Sequence, residues 1–179
     1  MKETKDNKIL QDENGKVQFD FSNALGVFEP HELASMYSEY ISDVDFVIEE
    51  EQRIICLEYK NASVKNAANA EVFQRKLVGE EFWKRVAKKF YGTVFLVWAC
   101  NKNQVEKPIE YILLIETNPS MDDALKKRFT TKMMRQLPFK YGGRAKIKRK
   151  VINRFELVDL KEWNAKYPRY PVCEMNSAV

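Results

Sequence analysis

Asp43-Val44-Asp45-Phe46-Val47-Ile48 and Ile54-Ile55-Cys56-Leu57-Glu58-Tyr59-Lys60 are two short apolar runs separated by the polar turn Glu49-Glu50-Glu51-Gln52. Length and composition read both as strands, Val44–Ile48 and Ile54–Tyr59. Side chains two apart on a strand share a face. The second strand therefore sets Ile54, Cys56, Glu58 and Lys60 on one side and Ile55, Leu57 and Tyr59 on the other. Both faces begin apolar, which marks a central strand covered on both sides. If the two strands form an antiparallel hairpin, Asp45 sits beside the Glu58–Lys60 end. Three ionisable groups then converge where a sheet otherwise takes apolar side chains. Burying charge without partners is costly. Two carboxylates and an ammonium closing on a divalent cation meet that cost, and few-ligand oxygen sites suit Mg²⁺.

Outward from this pair, Asn14-Gly15 marks a hairpin over 8–21, with Val17, Phe19 and Phe21 alternating after it. Glu29-Pro30-His31-Glu32 opens a helix carrying Leu33, Met36, Tyr37 and Tyr40 at helical spacing. After the motif, the spacing predicts a long helix from about Ala70 to Phe90, ended by Gly92. Val72, Phe73, Leu77, Phe82, Val86 and Phe90 supply its apolar face. Thr93–Cys100 and Ile109–Glu116 read as strands joined by the turn-like Asn101–Pro108. Ser120 with Asp123 resembles a capping box. The helix it starts has the apolar stripe Leu125, Phe129, Met133 and Leu137. Tyr141-Gly142-Gly143 is a loop, a strand lies within Lys148–Leu160, and a short helix lies near Glu162–Lys166. Mixed strands and helices in one chain mean α/β or α+β, and the expected class is α/β with a central mixed sheet flanked by helices.

The chain has 179 residues, 45% hydrophobic and 31% charged, which suits one globular domain over 1–179. The motif-bearing core covers about 28–100, and a basic part covers about 120–155. Three cysteines and one histidine exclude a disulfide framework and argue against structural zinc. No apolar run approaches the length of a membrane span, and the start, MKETKDNK, lacks a signal-like apolar segment. The expectation is a soluble, reduced, cytoplasmic protein with no membrane partner.

The net charge of +4 hides an uneven distribution. From Ala124 to Phe155 there are twelve bases and no acid, whereas the rest of the chain has 18 bases against 26 acids. Such asymmetry points to a polyanionic partner. Its bland alternative is a solvated basic helix and loop.

At Asp45, Glu58 and Lys60 the sequence resembles the restriction-endonuclease-like, PD-(D/E)xK, nuclease superfamily. That family carries an Asp at the head of one strand and Glu-x-Lys at the end of the next. Here 12 residues separate Asp45 from Glu58. The family's order of helix, strands, helix and strand is also expected over 28–100. Val44 stands where a Pro often precedes the Asp. The resemblance implies a restriction-endonuclease-like core and an endonuclease-type hydrolase that needs Mg²⁺ or Mn²⁺. DNA is the expected substrate. It implies Asp45, Glu58 and the Tyr59 backbone carbonyl as metal ligands, with Lys60 acting on the attacking water. Glu39 or Glu32 would add an acid from the first helix, and Gln74 would be an accessory polar group. Family members often work as dimers, so a homodimer is a further expectation, although no dimer signature is legible.

The basic part then has a role as a phosphate track. Its contacts are expected at Lys126, Lys127, Lys132, Arg135, Arg144, Lys146, Lys148, Arg149 and Lys150. Two rivals stand beside the enzyme. One is a non-catalytic nucleic-acid-binding module, and the other is an interaction protein whose motif is only a surface salt bridge. Other candidates carry less. His31 has no second histidine nearby. Cys56 and Cys100 fall in expected core strands. Gly142-Gly143 lacks the spacing of a phosphate loop. Met133-Met134 reads as core filler, and Trp83, Trp98 and Trp163 form no evident stacking platform.

Overall fold

The computed structural model describes residues 8–37, 39–61, 67–141 and 146–175. Eight strands form in chain order: β1 (Ile9–Gln11), β2 (Val17–Asp20), β3 (Gly26–Phe28), β4 (Phe46–Glu49), β5 (Ile54–Asn61), β6 (Ile109–Glu116), β7 (Arg154–Val158) and β8 (Val172–Glu174). The helices are α1 (His31–Ser35), α2 (Ala67–Val78), α3 (Glu80–Ala99), α4 (Asp123–Gln136) and α5 (Leu160–Lys166).

β5 is the centre of a five-stranded mixed sheet of order β3-β4-β5-β6-β7. It pairs antiparallel with β4, Phe46 facing Leu57 and Ile48 facing Ile55. It pairs parallel with β6 from Ile54↔Ile109 to Asn61↔Glu116. β7 continues the parallel half. The parallel steps need long crossovers, and helices supply them: α2 and α3 join β5 to β6, and α4 joins β6 to β7.

Alternate β5 residues enter two separate cores, as the strand period demands. Ile54 and Cys56 pack with Phe90, Val94 and Val97 of α3 and Phe129 and Met133 of α4. Ile55, Leu57 and Tyr59 pack with Phe19, Phe21, Trp163 and Tyr170. The second face is thus covered by α5 and a three-stranded sheet of order β1-β2-β8. No helix among the described residues is long and apolar enough to cross a membrane.

Several expectations hold. The β1–β2 hairpin turns at Asn14-Gly15, where Gly15 adopts φ +63°, a left-handed value that favours glycine. β6 has the expected bounds, and the short helix expected near Glu162–Lys166 is α5, which a capping box at Asp159 and Glu162 starts. Others need correction. The helix expected from Ala70 to Phe90 is two helices, with Gly79 at the break. The strand expected at Thr93–Cys100 is the second half of α3. A run that is apolar on nearly every side reads the same in either state.

Gly92 does not end that helix. A Cβ there would lie 2.0 Å from the carbonyl oxygen of Ser42, so the glycine lets the segment before β4 pass against α3. Beside it, the Val44 amide donates to Thr93 Oγ1 at 2.9 Å. α1 has only five residues, and Met36, Tyr37 and Tyr40 are exposed rather than part of a buried stripe. α4 is capped by Asp122, which accepts from the Leu125 amide at 2.7 Å, not by Ser120. Of its expected stripe, Leu125 is exposed, whereas Phe129, Met133 and Leu137 are buried.

Candidate active site

The register of β4 on β5 brings the motif together. Asp45 immediately precedes β4, and its Oδ2 accepts from the Tyr59 backbone amide at 2.7 Å. Glu58 and Lys60 lie on the α3 face of β5, as the alternation requires. Glu58 is fully buried. Lys60 Nζ lies 2.7 Å from Glu58 Oε1.

A second lysine, not anticipated from the sequence, completes the cluster. Lys89 of α3 lies 2.9 Å from Glu58 Oε1 and donates to Oε2 at 3.1 Å. The same ammonium is 4.0 Å from Asp45 Oδ1, so both carboxylates converge on it. Both ammonium groups thus sit against this one buried oxygen.

The electrostatics follow from burial. Desolvation, reinforced by the Asp45 charge, pushes the Glu58 carboxyl up to about 7 despite Lys60 and Lys89. Desolvation also raises Asp45, with Lys60, Lys89 and the Tyr59 amide opposing it. Burial works against the Lys60 ammonium, yet Glu58 and Asp45 together hold it above the usual lysine value.

Above the cluster opens a cleft of about 520 Å³. Asp45, Lys60 and Lys89 line its floor. Its rim takes Asp12, Glu13 and Asn14 from the β1–β2 turn, Glu29 from the β3–α1 junction, and His31 and Asp43. His31 Nδ1 is 3.4 Å from Asp43, so the histidine sits at the rim. Burial and the Asp45 charge raise the Glu29 carboxyl, with His31 opposing.

Glu32 and Glu39 are exposed and do not line this cleft; the acid from the first helical region is Glu29. Gln74 lies on α2, and its side chain is outside the described residues.

The donor set suits a Mg²⁺-type ion that keeps most of its waters. Asp45 and Glu58 offer two carboxylates, held beside one another by Lys89. No group of three or more His, Cys, Asp or Glu arranged to hold a metal occurs among the described residues. Water and backbone oxygen would therefore complete the shell.

The basic part divides into three. Lys126 is largely buried and bonded to Asp159 at 2.7 Å and Glu162 at 2.9 Å, so it holds α4 to α5 rather than facing a ligand. Lys132 donates to the Val78 carbonyl at 2.6 Å and lies 3.6 Å from Glu80, tying α4 to the α2–α3 break. Lys127, Arg135, Lys146, Lys148, Arg149 and Lys150 are exposed, although Arg149 pairs with Glu106. Arg144 and Gly142-Gly143 lie outside the described residues.

Lys148–Lys150 border a hollow with Pro108 and Ile109, at the start of β6. Asp45, Glu58 and Lys60 lie at the other end of the sheet. Ile54 is level with Ile109, and the six residue steps from Ile54 to Lys60 span about 20 Å. The Lys146–Lys150 stretch therefore does not flank the cleft. In comparisons with known proteins, the chain matches no family model, no curated protein and no solved structure.

Proposed function

We propose that this chain is a Mg²⁺- or Mn²⁺-dependent nuclease built on a restriction-endonuclease-like core, with DNA as its expected substrate. The observation that carries the reading is Glu58. It is a fully buried carboxylate at the end of a central strand, sharing Lys89 with Asp45 under an open acidic cleft. A purely structural salt bridge has no need of that burial, since exposed pairs stabilise as well or better. The mixed sheet, with an antiparallel hairpin followed by a helical crossover to a parallel strand, supports the same reading.

Asp45, Glu58 and the Tyr59 carbonyl would hold the ion, which when bound neutralises charge and polarises the phosphoryl group. Asp12, Glu13, Glu29 and Asp43 make the cleft repel a phosphodiester until a cation offsets them. The Tyr59 amide fixes the Asp45 carboxylate through Oδ2 and leaves Oδ1 towards the cleft floor. Lys60 remains protonated beside Glu58, so it orients the attacking water and offsets charge building on the phosphoryl oxygens. The attacking water gives up its proton to solvent and the leaving oxygen takes one from it, both at the open side of the cleft.

The test incubates labelled single- and double-stranded DNA and RNA with Mg²⁺ or Mn²⁺. Wild type is compared with Asp45→Ala and Lys60→Ala. Cleavage by wild type alone is the expected result. Equal activity in the variants, or none in wild type, overturns the enzyme. The second reading, a non-catalytic nucleic-acid-binding module, draws on the fact that Lys60 and Lys89 already balance the carboxylates. It is the outcome if wild type binds these strands but cleaves none of them.

A further inference from the structure

The helix that supplies Lys89 has an outer face that neither core covers. Tyr91, Phe95 and Trp98 recur there at steps of four and three, one exposed stripe along α3. They are 41%, 56% and 38% exposed. Among the described residues, the other exposed aromatics are Tyr37 and Tyr40, on the segment between α1 and β4. That same segment crosses α3 at Gly92, and its Ile41, Ser42 and Asp43 line the cleft. All five exposed aromatics therefore lie on α3 or on the chain that bridges α3 to the proposed active site.

Bases frame this stripe. Lys88 is exposed one turn before Tyr91. The Tyr91 hydroxyl donates to the Gln136 carbonyl at 3.0 Å, which places the exposed Arg135 close by. Trp98 shares a hollow of about 160 Å³ with Lys148, Arg149 and Lys150. Glu106 is the acid lining that hollow, and Arg149 pairs with it. From Lys89 to Trp98 the helix runs about 14 Å. An apolar protein partner would meet a rim of cations, whereas unstacked bases on the rings would bring phosphates to them.

We propose that the outer face of α3 is a binding track for single-stranded nucleic acid, with bases stacked on Phe95 and Trp98 and phosphates on Lys148 and Lys150. The track gives the basic stretch a partner about 20 Å from the catalytic cluster, where direct contact with the scissile group is out of reach. This rests on the nuclease reading only for its consequence, that substrate reaches the cleft as a single strand. Binding itself needs neither metal nor hydrolysis.

The experiment measures binding of fluorescein-labelled oligothymidylate, oligouridylate and a DNA duplex by anisotropy, in EDTA, using the full chain. Phe95→Ala and Trp98→Ala should each weaken single-strand binding on the order of tenfold. Trp98→Phe should retain most of the affinity, and duplex binding should change little. Unaltered melting temperatures confirm that these exposed substitutions leave the fold intact. Wild type that binds no single strand, or variants that bind it as wild type does, overturns the proposal. So does an equal loss on duplex. Sedimentation velocity covers a second copy as occupant: a dimer lost in Phe95→Ala with oligonucleotide affinity unchanged also overturns it. Stripe-dependent binding with no cleavage in Mg²⁺ supports the track and sinks the enzyme. Cleavage without stripe dependence does the reverse.

Discussion

The two hollows at opposite ends of the five-stranded sheet are lined by opposite charge. Where β5 ends, Asp45, Glu58, Glu29, Asp43 and the β1–β2 turn gather acids around two lysines. Where β6 begins, Lys107, Lys148, Arg149 and Lys150 line a hollow whose one acid, Glu106, pairs with Arg149. The acidic end is buried at its floor and geometrically specified. The basic end is exposed and loosely held. Charge that is buried in a fixed register can do chemistry, because low dielectric magnifies it and neighbours position it. Charge spread on a solvated loop can only attract.

The largest expected effect breaks the acidic end. Lys60→Ala should lower hydrolysis by roughly 10²–10³-fold, the usual range for loss of one preorganised charge-stabilising donor. Lys148→Ala should leave the rate on saturating substrate within a fewfold. A comparable loss of turnover in both would show that the two ends do not divide the work as described.

Gly92→Ala sharpens how tightly the acidic end is specified. Inside a helix this change normally stabilises by about 1 kcal/mol. Here the added Cβ meets the Ser42 carbonyl, so the sign reverses and the cost is expected at about 3 kcal/mol or more. Urea denaturation reads the difference, and a stabilised variant would contradict the close approach.

Glu58 gives a pH signature of similar size. Its carboxyl value is about 7 in the fold and 4.5 ordinarily. The fold therefore binds the proton more tightly than the unfolded chain does. This stabilising contribution is full below pH 4.5 and is lost as pH rises through about 7. Ionised, the group destabilises by on the order of 3 kcal/mol. Glu58→Gln should flatten the fall in stability between pH 5 and 8, measured by urea midpoints. Equal slopes in wild type and variant would remove Glu58 as its source.

Smaller effects separate the bases. Lys126→Ala should cost roughly 1–2 kcal/mol of stability, because Asp159 and Glu162 lose a partly buried partner. It should leave the salt slope of nucleic-acid binding unchanged. Lys148→Ala should do the opposite, leaving stability within about 0.5 kcal/mol and lowering the salt slope by about one. A Lys126 variant that alters the salt slope would return that residue to the basic surface.

Much of the acidic end is legible in the sequence, because a period of two on a central strand assigns faces without knowledge of the rest. Glu58 and Lys60 land on the α3 side for that reason, and β4–β5 pairing delivers Asp45. Lys89 and Glu29 are not legible. One is a lysine among several on a helix, and the other stands before a helix too short to announce itself. Gly92 misleads, since a glycine near a helix end suggests a stop, whereas a distant carbonyl is what excludes a side chain. Lys126 misleads for the same reason. Its acids lie 33 and 36 positions away, beyond any local pattern. The helical run after Gly92 is apolar on nearly every side, so periodicity alone does not separate helix from strand.

The Ser42–Gly92 approach has a consequence for reading other chains. Asp45 follows Ser42 by three positions, and Lys89 precedes Gly92 by three. A contact that leaves no room for a methyl group thus couples the two elements that carry the acid and the second lysine. In one dimension this becomes a fingerprint: Asp, then Glu-x-Lys, then Lys-x-x-Gly on a following helix. A chain that keeps the first two parts but places a larger residue at the glycine must open the gap between strand and helix, and its lysine would no longer reach the buried glutamate.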